Sequence, residues 1–288
     1  MDKKSLMLNN LRISTEGLYI LREALGLEGD QPDFTRPILL AIDFEQTENF
    51  MNGFSQSEKC QVGLAALDTR ELHTSPPEKL ISTESLISGP SSYTSVVSNN
   101  VLFGTTTVIK PAEILQKIQD LIPSDRDIIL IGHNVRVELR ILVRLGFTFS
   151  SRISSIIDTC DVADEVLGPP HYSLRKLLKT LCCPADRLHT AGNDAHFTLR
   201  ASLLLVARDF PDQDHPTIGI LRNTAMDPLP HLVRLAAKEA MRKGRKSAYL
   251  NSKKYQARFR TAEQIAEIRA ERAAKKARQM GVGYPVVK

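Results

Sequence analysis

ILLAIDFE, residues 38–45, is a compact apolar run that begins just after Pro37 and ends in two carboxylates. Hydrophobic at almost every position, it suits a strand covered on both faces, as in the parallel sheets of α/β proteins. Downstream, QVGLAALDT (61–69) reads as a second strand, and KPAEILQKIQDLI (110–122) as a helix with Pro111 in its first turn. DIILIGHN (127–134) is a further buried strand, and NVRVELRILVRLG (134–146) a helix closed by Gly146. RISSIIDT (152–159) predicts a strand, CDVADEVLG (160–168) a short helix, and SLRKLLKTLCC (173–183) a helix capped by Ser173, with Pro184 beyond its end. The loop DRLHTAG (186–192) leads into a helix over 193–210, capped by Asn193 or Asp194. This alternation predicts an α/β fold, a mixed sheet flanked by helices.

The flanks are less regular. STEGLYILREALG (14–26) places Leu18, Leu21 and Leu25 at helical spacing, with Ser14 or Thr15 as caps and Gly26 as a stop. Between Arg70 and Gly104 the chain turns rich in Ser, Thr and Pro, which predicts a long irregular excursion with one edge strand near Tyr93–Val97. Residues 211–230 read as a linker. The expected organisation is a helical lead over 1–35, a catalytic-type body over 36–210, that linker, and a basic helical tail over 231–288.

The 288 residues carry 38 Lys plus Arg against 33 Asp plus Glu, with 42% hydrophobic residues, an ordinary globular composition. No apolar run approaches the roughly 20 residues of a membrane span, and MDKKSLMLNN lacks signal-peptide features, so an intracellular protein, cytoplasmic or nuclear, is expected. Cys60, Cys160, Cys182 and Cys183 form neither a zinc-type pair nor a disulfide framework. The charge is split: residues 231–288 hold 16 Lys plus Arg against 4 Glu, and residues 1–230 hold 22 against 29. A single-sign block of that size meets an anionic partner or stays solvated.

Asp43 and Glu45 stand two apart on a strand, so their side chains leave the same face, about 7 Å apart along the chain. They lie at a strand's carboxyl end, where open α/β sheets present ligand sites, although solvated residues leaving a sheet have the same pattern. Glu138 occupies a slot in the apolar stripe of Val135, Leu139, Leu142 and Leu145. A carboxylate there needs a cation, unless it lies at the stripe's edge and pairs with Arg136 or Arg140. His189 precedes Asp194 by five residues across a glycine-containing loop, which can bring an imidazole near a carboxylate held on the helix; a lone His is otherwise an ordinary surface or core residue.

Taken in order, DxE at 43–45, GHNxxxE at 132–138 and HxxxxD at 189–194 resemble the DEDDh branch of the DEDD 3′–5′ exonuclease superfamily, over about Ile38 to Phe210. The stretches FGTTTVIKPAEIL (103–115) and GNDAHFTL (192–199) further resemble a fungal group of exonuclease-like proteins. The resemblance implies a ribonuclease H-like fold and two divalent cations, Mg²⁺ or Mn²⁺, held by Asp43, Glu45, Glu138 and Asp194, with His189 as general base. It implies release of 3′-terminal nucleotides from RNA or single-stranded DNA. His133 and Asn134 match the family's HN and read as strand-end and helix-cap residues; Asp158 reads as structural. The departure is Glu138, which stands where the family has Asp and is longer by one methylene, so a nucleic-acid-binding module of weakened chemistry is the alternative.

The tail segment KEAMRKGRKSAYLNSKKYQARFR (238–260) interleaves basic residues with aromatics, a pattern suited to phosphate contacts and base stacking. Arg242, Lys243, Arg245, Lys246, Lys253, Lys254, Tyr255, Arg258 and Arg260 are the expected nucleic-acid contacts, with a ribonucleoprotein or an acidic protein as the other partner for the tail. KGRK also fits a short nuclear import signal. Residues 262–279, with Glu263, Glu267 and Glu271 four apart, read as a solvated helix.

Overall fold

A computed structural model of the chain describes residues 12–28, 36–123, 125–149 and 152–230. The expected tail helix over 231–288 and all nine of its nucleic-acid contacts lie outside the described residues.

Six strands, β1 (Ile38–Glu45), β2 (Cys60–Asp68), β3 (Ser82–Ser88), β4 (Thr105–Val108), β5 (Ile128–Gly132) and β6 (Ile153–Asp158), make one sheet in the order β4-β3-β2-β1-β5-β6. β2 pairs antiparallel with β1 and β3, while β1–β5, β5–β6 and β3–β4 are parallel, so β2 alone runs against the other five. The carboxyl ends of β1, β5 and β6 therefore share one edge of the sheet, and Asp43, His133 and Asp158 arrive there from three different strands.

Alternation along β1 divides its side chains between two layers. Leu40, Ile42 and Phe44 enter a core with Phe50, Val62, Leu130, Leu139 and Leu142. That core takes in Ile114 and Ile118 of a helix over Ile114–Leu121 and the apolar face of a second helix over Arg136–Leu145. Leu39, Ala41 and Asp43 face the other layer, which is built on a long helix, Ala191–Asp209. In chain order the helices are α1 (Gly17–Ala24), α2 (Thr47–Met51), α3 (Ser91–Asn100), α4 (Ile114–Leu121), α5 (Arg136–Leu145), α6 (Thr159–Leu167), α7 (Leu174–Thr180), α8 (Ala191–Asp209) and α9 (Pro216–Ala225).

Helix α8 is buried from Ala191 to Ala207, including Asn193, Asp194, His196, Thr198, Arg200 and Ser202. Its first turn presses on the sheet: a Cβ on Gly63 of β2 would sit 1.9 Å from the Ala191 carbonyl oxygen, so only glycine permits this approach. Its interior polar groups are paired, except for Asp194 Oδ1. Arg200 Nε donates to His196 Nε2 at 2.9 Å, and His196 Nδ1 lies 2.9 Å from Thr83 Oγ1. With Nε2 accepting, the ring proton belongs on Nδ1 and is donated to Thr83. Burial first, and then the Arg200 charge, drive His196 well below the ordinary imidazole range, keeping it neutral. Phe103 stacks on His196 with centroids 3.6 Å apart and also lies under the Arg200 guanidinium.

Three expectations are corrected. The edge strand near Tyr93–Val97 is helix α3; its Ser/Asn/Val composition favours a helix only weakly, and its carboxyl end is held by tertiary bonds. The carbonyls of Asn99 and Asn100 accept from Arg187 Nη1 and Asn193 Nδ2 at 2.7 and 2.9 Å. The second is residues 211–230, read as a linker, which contain α9. Pro216 sits in its first turn, where no backbone donor is lost, His215 Nδ1 accepts from Thr217 N at 3.3 Å, and Ile218, Leu221 and Ala225 are buried. The helix packs on α8, and Asp227 O just beyond it accepts from Arg200 Nη1 at 2.8 Å. Third, α8 starts at Ala191 with Thr190 as its cap, so Asn193 and Asp194 lie inside the first turn.

Helix α1 belongs to the body. Leu18 and Leu21 are buried, Ser14 N donates to Ile156 O at 2.8 Å, and Arg22 pairs with Asp209 at the end of α8. Arg126 anchors the opposite edge of the sheet, its Nη1 and Nη2 donating to the two oxygens of Asp68 at 2.6 and 2.7 Å.

Candidate active site

Strand β1 and helix α8 bring Asp43, Glu45 and Asp194 together: one carboxylate oxygen from each lies within 4.8 Å of the others. Asp43 and Glu45 share a face because they are two apart on a strand. Asp194 meets them because Gly63 lets the first turn of α8 settle against the sheet. His189 comes from the loop before α8, with Nδ1 3.6 Å from Glu45 Oε1 and the side chain 81% exposed.

Glu138 is 5% exposed in the first turn of α5. It does not join the three-carboxylate group, yet its charge reaches Asp43. Nor does it pair with its helical neighbours: Arg140 Nε donates instead to the Arg136 carbonyl at 3.2 Å, and Glu138 Oε2 is buried without a hydrogen-bond partner.

Proton affinities follow from this crowding. Asp43 is raised well above the usual carboxylate range, by burial first and then by the charges of Asp194, Glu138 and Glu45. Asp194 is pushed up to about 7, by burial and then Glu45, against the lowering effect of backbone N–H groups at His189 and Thr190. Glu138 is pushed up to about 8, by burial first and then by the charge of Asp158, against the lowering effects of its own backbone N–H and of Arg140. Glu45 is raised by burial and partly restored by His189.

The donor set fits a hard divalent cation. Asp43 Oδ2, Asp194 Oδ1 and Glu138 Oε2 are buried and unpartnered, which is costly unless something positive meets them. Asp194 divides its two oxygens: Oδ2 accepts from His189 N at 2.7 Å, and Oδ1 is left for the cluster.

Asp158 and the HN pair frame the site. Asp158 Oδ1 accepts from Asn134 N and Cys160 N, and Oδ2 from Val135 N, all at 2.9 Å, so one carboxylate holds the starts of both α5 and α6. Asn134 turns the chain at φ 64° and the capping carboxylate is Asp158, so the Asn134 side chain is not the cap. His133 Nδ1 bonds Thr159 Oγ1 at 2.8 Å, and burial lowers its pKa.

Two further residues shape the surroundings of the site. Gln61, in register with Glu45, accepts from Ala191 N through Oε1 and donates to Tyr93 Oη through Nε2, both at 3.2 Å. Asn193 Nδ2 donates to Arg187 O and Asn100 O at 2.9 Å, and its Oδ1 accepts from Leu102 N at 2.8 Å. Asn193 was read from the sequence as a candidate helix cap, which gave its place at a helix start but not its partners; Gln61 gave no signal, because its neighbours come from distant segments.

A sheet whose second strand alone is reversed, with acidic residues gathered at the ends of its parallel strands, is the ribonuclease H-like arrangement of a nuclease. The chain belongs to the DEDDh exonuclease superfamily: a family model described as the DNA polymerase III subunit epsilon-like C-terminal domain matches residues 38–205, more than half its length. That family generally uses divalent metals, in keeping with the acidic cluster. No curated protein matches the chain. Among the described residues no helix is long and apolar enough to cross a membrane.

Proposed function

We propose that the protein is a 3′–5′ exonuclease that hydrolyses phosphodiester bonds of RNA or single-stranded DNA by a two-metal mechanism. The observation that carries this is the convergence of Asp43, Glu45 and Asp194 within 4.8 Å, beside the exposed His189 imidazole. Asp43, Glu45, Asp194 and Glu138 would hold two divalent ions, Mg²⁺ or Mn²⁺, which lower the pKa of an attacking water and stabilise the leaving oxygen.

The chain's own residues do the rest. His189 takes the water's proton as general base, and its exposure lets it return that proton to solvent. Glu45, 3.6 Å from Nδ1, stabilises the imidazolium that results. Asp194, fixed by the His189 N–H, couples the position of the carboxylates to that of the base. The net negative charge of residues 1–230 repels phosphate until cations fill the site, so binding as well as cleavage should require metal. The basic tail, with Arg242 to Arg260, raises local substrate concentration.

One observation favours the alternative of a binding module with weakened chemistry: Glu138 stands apart from the other three carboxylates. A displacement of about 1 Å costs on the order of 100-fold in rate.

The test is 5′-labelled single-stranded RNA and its DNA counterpart incubated with the protein in Mg²⁺, Mn²⁺ or EDTA, beside an Asp43→Ala/Asp194→Ala control. The expected result is a metal-dependent ladder shortening from the 3′ end and absent in the control. Metal-dependent binding without products, with cleavage appearing on Glu138→Asp, would establish the alternative. Neither binding nor products from either protein refutes both.

A further inference from the structure

We propose that Asn193 is a positioning residue for His189, holding the loop 186–190 in the one conformation that sets the imidazole beside Glu45; this rests on the exonuclease function proposed above. The ring does not hold itself. It is 81% exposed, and among the described residues its polar neighbour is Glu45 at 3.6 Å, beyond hydrogen-bonding distance. Its place must therefore come from the backbone.

That backbone is unusual. Arg187 and His189 both take left-handed conformations, with φ of 51° and 68°. For non-glycine residues such conformations are disfavoured and persist only where the surroundings fix them. Asn193 does the fixing. Fully buried, it donates both amide hydrogens, one to Arg187 O inside the loop and one to Asn100 O at the end of α3, and it accepts from Leu102 N. Three bonds to two separate segments leave the carboxamide one orientation. A second strap, from Arg187 Nη1 to Asn99 O at 2.7 Å, joins the same loop to the same helix end from the outside. Asn193 adjoins Asp194, so a single helical turn presents the carboxylate to the cation and sets the base above it.

The experiment uses the full chain, 5′-labelled single-stranded RNA and Mn²⁺, with Asn193→Leu, His189→Ala, the double variant and Arg187→Gln. Leu matches Asn in shape, adds no charge, and removes all three bonds. Asn193→Leu should lower kcat by about 10- to 100-fold with KM within about 2-fold, since a misplaced base costs rate rather than binding. Added to Asn193→Leu, His189→Ala should cost only about 1- to 10-fold, the part of the base's contribution that Asn193→Leu leaves, against about 100-fold alone. Amide hydrogen exchange over 186–190 should rise at least about 10-fold without a change in the Mn²⁺ concentration for half-binding.

Arg187→Gln, on the surface, should show the same signature more weakly, and it carries the test if Asn193→Leu does not fold. Unchanged exchange over the loop, or kcat losses that multiply fully with those of His189→Ala, overturns the proposal. A wild-type chain that binds metal but cuts neither RNA nor DNA refutes the proposed function instead, while loop exchange in the variants still decides whether Asn193 holds the loop.

Discussion

Glu138 offers a stability measurement that does not depend on detecting cleavage. Its carboxyl is raised from an ordinary value of 4.5 to about 8, chiefly by burial at 5% exposure. The unfolded chain releases this proton near pH 4.5 and the metal-free folded chain only near pH 8, so folding is penalised progressively between those values. At about 1.4 kcal/mol per pH unit, the penalty is about 3 kcal/mol at pH 7 and about 4 kcal/mol at pH 8. Glu138→Gln removes the ionisable group at nearly constant shape. In EDTA the variant should match the wild type at pH 4.5 and then melt progressively higher, by roughly 6 to 12 °C at pH 7 for a body of about 200 residues. Thermal unfolding followed by circular dichroism in EDTA from pH 4.5 to 8 gives the comparison directly. A difference that stays constant across that range would refute the account, because it would mean the carboxyl loses its proton equally in both states.

The metal-free protein should be stabilised by Mn²⁺ or Mg²⁺, by about 3 kcal/mol at 100 times the dissociation constant, and at a fixed metal concentration the gain should grow as pH rises from about 5 to about 8, because protons compete with the cation for Asp43, Asp194 and Glu138. Differential scanning fluorimetry should show this shift for the wild type and none for Asp43→Asn/Asp194→Asn. Asp158→Ala frees three backbone N–H groups at the starts of α5 and α6, and should cost on the order of 3 kcal/mol in urea unfolding; a loss below about 1 kcal/mol would mean water replaces the carboxylate.

Strands whose hydrophobicity is continuous, ILLAIDFE and DIILIGHN, were readable because burial on both faces leaves no ambiguity of period, and β1 and β5 are central. The α5 helix was readable down to its Gly146 stop, which has φ 90°. Asp43 and Glu45 were readable as a pair, because i, i+2 on a strand needs only local geometry; Asp194 was joined to them only through the family resemblance, since its approach depends on the packing of α8 against Gly63. What escaped were elements set by distant partners. Helix α3 has a sequence that favours turns, and Arg187 and Asn193 secure it from nearly a hundred residues away. Helix α9 was hidden by its proline, which at a helix start signals the opposite of a break. β4, four residues of Thr and Val at the sheet edge, is too short for any period to show. Glu138 was drawn toward a cation by its slot in the apolar stripe and to the metal set by the resemblance; it lies outside the group whose oxygens converge within 4.8 Å, although its charge reaches Asp43.

The pairing of Arg200 with the carbonyl of Asp227 has a practical corollary for anyone dividing the chain. The matched family region stops at residue 205, and a boundary drawn there or at Phe210 looks natural. It would strip α9 from α8, taking away the Asp227 carbonyl that accepts from Arg200 and uncovering the apolar side chains that Ile218, Leu221 and Ala225 bury. Insolubility of such a fragment would be a fault of the cut, with no bearing on whether the nuclease fold is stable. An incision after Pro230 keeps α9 with the body, and with it the acceptor of Arg200.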